Sequence, residues 1–155
     1  MQLFLLRHAD ANTEAASDAA RRLSEKGIVQ AKKVARFCEA HEVAPELILT
    51  SPVWRAHETA NIVAEHLRAE FLIAPWLACG MRAERALEEL QGHARFERVM
   101  LVGHEPDFSL LAAHLLGLPG EAQIHVRKAS LIHLDLPMLR AGVARLEFLL
   151  PSRLM

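Results

Sequence analysis

Several classes of protein are excluded by what the sequence lacks. Only two cysteines, Cys38 and Cys79, occur among the 155 residues. They are too few for a disulfide framework or a four-cysteine metal site, and they suit a reducing cytoplasm. No apolar run approaches the roughly 20 residues of a membrane-spanning helix. The apolar stretch at residues 3–6 is too short for a signal peptide and has no positive charges before it. We therefore expect a cytoplasmic protein with no membrane partner.

An excess of charge of either sign is also missing. Eighteen basic side chains stand against nineteen acidic ones, which leaves a formal net charge of −1. No overall field therefore attracts nucleic acid or anionic lipid, and an anion would have to be bound by a few well-placed cations. The glycines form neither a P-loop nor a dinucleotide fingerprint, and none of the His-Glu pairs has a second histidine at the zincin spacing. We expect no cofactor and no metal.

What is present is the composition of an ordinary globular domain. Hydrophobic residues make up 52% of the chain and charged residues 24%, which excludes disorder and a coiled coil. The length predicts a single domain over residues 1–155.

Strand and helix patterns alternate along most of this length. Four short apolar runs predict strands at residues 3–6, 47–50, 71–73 and 99–102, of which the first two are expected to be buried. Helical patterns follow Ser24, Pro52, Arg82 and Pro106, and proline suits the first turn of a helix. The last segments alternate at period two and predict antiparallel strands. The expected fold is α/β: a three-layer α/β/α sandwich around a mixed, mostly parallel sheet.

Polar clusters follow three of the predicted strands. Arg7 and His8 follow the first strand, Ser51 and Arg55 the second, and His104 the fourth. Ligands of such folds bind where loops leave the carboxyl ends of the strands. Guanidinium groups and helix N-termini bind phosphate oxygens, so the clusters predict a pocket for a dianion. A lone histidine after a strand is more often a surface residue, and only the repetition of the pattern favours a site.

These clusters resemble the motifs of a known family. Residues 6–9 (LRHA) resemble the Arg-His-Gly signature of the histidine phosphatase superfamily. Residues 51–60 (SPVWRAHETA) resemble its Ser-Pro-x-x-Arg-Ala-x-x-Thr-Ala block, and residues 102–106 (VGHEP) resemble its third block. The short length, residues 7–11 and Ser17-Asp18 look most like the SixA-type phosphohistidine phosphatases. The resemblance implies a phosphoglycerate mutase-like fold and a metal-independent phosphatase.

The resemblance also implies a role for each residue of the motifs. His8 would attack phosphorus with a neutral ring nitrogen and form a phosphohistidine enzyme, which water then hydrolyses. Arg7, Arg55 and His104 would be the phosphate-binding donors, with His104 protonated. His8 would stay neutral because three neighbouring cations depress its pKa. Asp10 and Asp18 are candidates for positioning water or gating the site, but the expected role of both is that of a solvated loop residue.

Two departures from the family's pattern bear on the substrate. Ala9 stands where the family has glycine, so the shape of that loop is in question. No carboxylate occurs before Glu84 in the region where larger members carry a general-acid glutamate. An imidazole leaving group, with a reference pKa of about 6.5, needs less protonation than a sugar alkoxide. The favoured substrate is therefore phosphohistidine on a signalling or carrier protein, such as a phosphorelay transfer domain.

Three other interpretations stay open at this stage. The protein could be a broad-specificity phosphomonoesterase on small molecules, or a non-catalytic phosphohistidine-binding module, which Ala9 alone favours. Residues 79–85 match the Cys-x5-Arg spacing of cysteine-dependent phosphatases. We reject Cys79 as a nucleophile because no histidine precedes it and no Ser or Thr follows Arg85.

Overall fold

The computed structural model describes residues 1–119 and 123–155 and shows strands alternating with helices. The strands are β1 (Gln2–Arg7), β2 (Leu47–Thr50), β3 (Glu70–Ile73), β4 (Arg98–Gly103), β5 (Ser130–Asp135) and β6 (Arg145–Pro151). The α-helices are α1 (Glu25–Ala40), α2 (Trp54–Leu67), α3 (Ala83–Gln91) and α4 (Asp107–Leu116). Within the described residues, no helix is both long enough and apolar enough to span a membrane.

The six strands form one mixed sheet in the order β3-β2-β4-β1-β5-β6. The first four strands of that order are parallel to one another, and β5 and β6 add antiparallel pairs. The predicted α/β fold with a mixed, mostly parallel sheet is confirmed. Because β1, β2 and β4 are parallel neighbours, the residues that follow them meet at one edge of the sheet.

The sheet carries a hydrophobic core on each face. Successive side chains of a strand point to opposite faces, so Leu3 and Leu5 pack with α3 and α4. Phe4 and Leu6 pack with α1 and α2 on the other face. Burial on both faces explains why β1 is an uninterrupted apolar run in the sequence. These layers form the predicted three-layer sandwich.

The helix starts differ in detail from the sequence prediction. The hydroxyl of Ser24 accepts a hydrogen bond from the Gly27 amide and caps α1, as expected for a serine N-cap. Helix α2 begins at Trp54, so Pro52 precedes the helix and is not part of its first turn. Pro106 is likewise the residue before α4. Both prolines lie in the loops that join the strands of the polar clusters to the helices that follow them.

Two glycines allow the close approaches that shape this edge of the sheet. A Cβ at Gly27 would lie 1.9 Å from the carbonyl oxygen of Asp10, so glycine lets α1 pack against the loop after β1. A Cβ at Gly103 would lie 2.8 Å from the ring of Phe108. The absence of a side chain at Gly103 therefore lets Phe108 of α4 pack against the end of β4.

Candidate active site

The strand register brings the predicted site residues together. In the parallel pair β1–β4, Arg7 lies opposite Gly103, so His8 and His104 are the next residues beyond each strand. Their rings lie 5.3 Å apart between centroids. The backbone amide of His8 donates to the carbonyl oxygen of Gly103 at 2.9 Å, which fixes the two loops to each other.

The His8 ring presents an unprotonated nitrogen at this edge. Its Nδ1 lies 2.8 Å from the carbonyl oxygen of Ala9. A carbonyl only accepts, so Nδ1 carries the ring proton and Nε2 carries a lone pair. Burial, followed by the charges of His104, Arg55 and Arg7, lowers the pKa of His8 from 6.5 to about 3. His8 is therefore neutral at physiological pH, as a nucleophile must be.

Arg55 lies directly against this nitrogen. Its Nε donates to His8 Nε2 at 3.3 Å, from a position in the first turn of α2. Its Nη1 donates to the carbonyl oxygen of Asp18 at 2.7 Å, and its Nη2 donates to the Asp18 carboxylate at 3.0 Å. Asp18 is solvent-exposed, as expected, but its contacts with Arg55 give it a positioning role that the sequence did not indicate. Although its side chain is 67% exposed, it holds the buried guanidinium in place.

Asp10 is also more than a solvated loop residue, because its side chain is largely covered and pairs with Lys128. Its Oδ1 accepts from Lys128 at 2.6 Å, and its Oδ2 accepts from Ser24 at 2.7 Å. The hydrogen bond from Lys128 holds the pKa of this carboxyl below its usual range. Asp10 thus joins the loop after β1 to α1 and to the segment before β5.

His104 is the second buried histidine of the site. Its Nε2 lies 2.8 Å from the Ser51 hydroxyl, and its buried Nδ1 has no partner within the described residues. When the hydroxyl donates to Nε2, the proton of the neutral ring is on Nδ1. The Nδ1–H group can then donate a hydrogen bond to a phosphoryl oxygen. Ser51 thus positions the His104 ring. The sequence placed Ser51 in a polar cluster but did not indicate this role.

The expectation that His104 is protonated is wrong for the protein alone. Burial, together with the charges of Arg55 and Arg7, lowers the pKa of His104 from 6.5 to about 4. Burying a charged ring is costly, and the burial of His104 follows from the packing and not from the motif. A phosphate dianion beside the ring would raise this pKa again, because opposite charges favour the protonated form.

Arg7 is the second guanidinium near His8, after Arg55. Its Nη1 donates to the carbonyl oxygen of Val126 at 2.8 Å, and its buried Nε has no partner within the described residues. Burial lowers the pKa of Arg7, but a guanidinium remains charged in proteins. The four residues predicted from the motifs thus lie at one edge of the sheet, where two buried nitrogens lack a hydrogen-bond partner within the described residues.

Ala9 fits the loop in which the family has glycine. Its side chain is buried, and its φ is not in the left-handed region. Its amide donates to the Thr59 hydroxyl at 3.0 Å, and that hydroxyl donates to the carbonyl oxygen of Arg55 at 2.7 Å. Thr59 therefore links the His8 loop to the helix that carries Arg55. The spacing of four residues in α2 is the sequence signal that could have identified it.

The acidic groups around the site differ in their environments. Glu84 is exposed and pairs with Arg82 on the surface. Glu105 directly follows His104 and is half-buried, with its Oε2 bound by Ser109 and its Oε1 unpartnered within the described residues. Burial raises the pKa of Glu105, whose charge also acts on Arg7. A carboxyl group therefore lies near the site, but it follows His104 and not the third strand, where larger members of the family carry their general-acid glutamate.

Cys79 also borders the site, which the sequence did not indicate. Its sulfur lies 3.7 Å from Arg55 Nη2. Burial raises the pKa of this thiol, so it is protonated at neutral pH and poorly nucleophilic. The rejection of Cys79 as a nucleophile agrees with this. However, alkylation of Cys79 would crowd Arg55, so loss of activity on alkylation cannot identify a cysteine nucleophile.

Substitution of Cys79 distinguishes a catalytic thiol from a thiol whose alkylation only crowds Arg55. We expect Cys79→Ala to change kcat/KM by less than about threefold, because a thiol sulfur is a weak acceptor. We also expect it to protect the enzyme from inactivation by iodoacetamide, and the same assay applied to Cys38→Ala is the control, since Cys38 is buried. A large loss of activity in untreated Cys79→Ala would contradict this account.

Comparisons with known proteins decide the family. The model of the histidine phosphatase superfamily (branch 1) matches residues 3–78. Phosphohistidine phosphatase SixA of Escherichia coli (strain K12) is 31% identical over 125 residues, which cover 78% of this chain and 76% of the relative. This chain belongs to the histidine phosphatase superfamily. The resemblance noted in the motifs is confirmed, and membership supports a phosphatase hydrolase.

Solved structures agree on the fold of this histidine phosphatase. The protein histidine phosphatase SixA complexed with tungstate has a TM-score of 0.88 at 25% identity, covering 99% of this chain and 98% of that chain. Adenosylcobalamin/alpha-ribazole phosphatase of Escherichia coli (strain K12) is 25% identical over 82% of this chain and 85% of the relative. The relatives of this chain therefore include one named for phosphohistidine and one named for a small molecule.

Metal-binding potential is the remaining chemical feature of the site. Within residues 1–119 and 123–155, no three His, Cys, Asp or Glu side chains are grouped so that they could hold a metal ion. Arg7 and Arg55 are the cations near His8, and guanidinium groups bind phosphate oxygens directly.

Proposed function

We propose that this histidine phosphatase hydrolyses phosphohistidine on a protein through a phosphoenzyme formed on His8. The observation that carries the proposal is the His8 ring, whose Nδ1 faces the carbonyl oxygen of Ala9 and whose Nε2 faces Arg55 Nε at 3.3 Å. A phosphoryl group that replaces this hydrogen bond would meet the lone pair of Nε2 and would be bound by the adjacent guanidinium.

The first step transfers the phosphoryl group to His8. The Nε2 lone pair forms a bond to phosphorus while the bond from phosphorus to the leaving nitrogen breaks, and that nitrogen keeps the electron pair. When the second nitrogen of the substrate ring carries a proton, the leaving group is a neutral imidazole. Its reference pKa of about 6.5 makes it a good leaving group without a general acid.

The second step releases phosphate from His8. Water attacks phosphorus, the bond between phosphorus and Nε2 breaks, and the proton lost by water ends on the phosphate or in solvent. In both steps the charge on the equatorial oxygens needs fixed donors. Arg55, Arg7 and the unpartnered Nδ1 of His104 are the donors that the edge of the sheet supplies.

A comparison of substrates tests this proposal. We expect kcat/KM for a phosphohistidine-bearing protein to exceed that for glucose 6-phosphate by at least about 100-fold, because an alkoxide leaving group needs protonation. Phosphate release from both substrates would be measured at pH 7 with the same enzyme preparation. Equal or faster hydrolysis of the sugar phosphate would contradict the proposed substrate class.

One observation favours a second candidate, a phosphomonoesterase acting on small molecules. The half-buried carboxyl of Glu105, whose pKa burial raises, could protonate an alkoxide leaving group. A Glu105→Gln variant distinguishes the candidates when assayed on both substrate classes. A loss confined to phosphate esters would support acid catalysis by Glu105. Equal activity of the variant and the wild type on esters would exclude this role.

A further inference from the structure

A cavity adjoins the edge of the sheet that carries His8, on the side of Arg7. Its volume is about 460 Å³, and its lining includes five cationic side chains from segments distant in the sequence. They are Arg7 on β1, Lys26 on α1, Arg127 and Lys128 before β5, and Arg153 after β6. In a chain with a net charge of −1, this is a strong local concentration of positive charge.

The carboxylate in this cavity does not neutralise the cations. Asp10 is bound by Lys128 and Ser24, and the charge of Lys26 also acts on it, so one carboxylate faces five cations. Lys26, Arg127 and Arg153 have no carboxylate partner within the described part of the chain. Like charges brought together without an anion repel one another, so the arrangement is stabilised when an anion enters.

Arg7 connects this cavity to the candidate active site. It lines the cavity, and its charge also lowers the pKa of His8. Its Nη1 is held by the carbonyl oxygen of Val126, so the guanidinium has a fixed place between the two sites. A ligand with one anionic group at His8 could therefore place a second anionic group among Lys26, Arg127 and Arg153.

We propose that the cavity beside Arg7 binds a second anionic group of the substrate. Resting on the proposed function, we assign this group as a carboxylate side chain that neighbours the phosphohistidine on the partner protein. The exposed side chains of Lys26 and Arg153 can reach a group that projects from a protein surface. A second phosphate on a small molecule has the same charge chemistry, and the experiments below separate the two sources.

The first experiment measures binding and does not depend on turnover. Isothermal calorimetry would compare propylphosphonate with ω-phosphonocarboxylates of two to four carbons and with ethane-1,2-diphosphonate. We expect the best phosphonocarboxylate to bind the wild type about five- to tenfold more tightly than propylphosphonate, because its carboxylate meets several cations. The double variant Lys26→Gln/Arg153→Gln should lose this gain.

Arg140→Gln is the control for removing a positive charge from a part of the surface away from the cavity. Arg140 is exposed and follows β5, whose end pairs with Gln2 at the opposite edge of the sheet. This variant should keep the full gain in affinity. The site is excluded if the wild type shows no gain for any chain length, or if the double variant keeps the gain.

The second experiment identifies the source of the anionic group. Two phosphohistidine peptides, with aspartate or asparagine beside the phosphohistidine, would be compared as substrates. We expect the aspartate peptide to have the higher kcat/KM by about fivefold in the wild type and in Arg140→Gln, but not in the double variant. If the diphosphonate gains affinity while the two peptides react equally, the cavity serves a small molecule and our assignment is wrong. If neither peptide is hydrolysed, the proposed function fails while the calorimetry still decides the site.

Discussion

Replacing His8 with alanine is expected to lower phosphate release from a phosphohistidine-bearing protein by at least about 10⁴-fold, because the variant has no group to accept the phosphoryl. Arg55 and His104 remain in this variant and can still bind phosphate. The loss should therefore appear in kcat, with a much smaller change in KM. Steady-state assays with enzyme concentrations raised for the variant measure both.

The control for this substitution is a histidine outside the site. His41 is exposed after α1, and His41→Ala should have wild-type kinetics. Circular dichroism would verify that both variants fold. A His8→Ala enzyme that keeps kcat within tenfold of the wild type would contradict the proposed role of His8.

The second large effect is expected at Arg55. Arg55→Ala should lower kcat/KM by about 10²–10³-fold, because it removes a fixed donor to the transition-state charge. Arg55→Lys should recover little of this, since an ammonium cannot donate to His8 and to Asp18 in the same planar geometry. The measurement is kcat/KM for the three enzymes on one phosphohistidine substrate.

Arg82 provides the control for this series. Its side chain is 81% exposed and pairs with Glu84 on the surface, so Arg82→Ala should leave kcat/KM unchanged. Full activity in Arg55→Lys would contradict the account, because it would mean that charge alone, without the fork of donors, is sufficient. Thermal melting would show whether loss of the buried guanidinium also lowers stability.

The arrangement of the site was predictable where it follows from regular strands. Apolar runs predicted β1, β2 and β4, and parallel pairing necessarily brings their carboxyl ends to one edge. His8, Arg55 and His104 therefore meet as the motifs implied. Local sequence was sufficient here because the period and length of the runs determine the strands.

Other features were not predictable because they depend on tertiary contacts. Asp18 lies in a segment without periodicity, and only the fold brings it to Arg55. Cys79 reaches the same guanidinium through the connection after β3. The lowered pKa of His104 results first from burial, which is a property of the packed structure and not of its neighbours in sequence.

The central claim is that a phosphoryl group is transferred to His8, and trapping the intermediate tests it most directly. Wild-type enzyme would be mixed with ³²P-labelled phosphohistidine protein, quenched rapidly in alkali, and analysed for label and for its position by mass spectrometry. The account predicts label on the peptide that contains His8, stable in alkali, lost in acid and absent from His8→Ala. An acid-stable label, or equal labelling of His8→Ala, would contradict it.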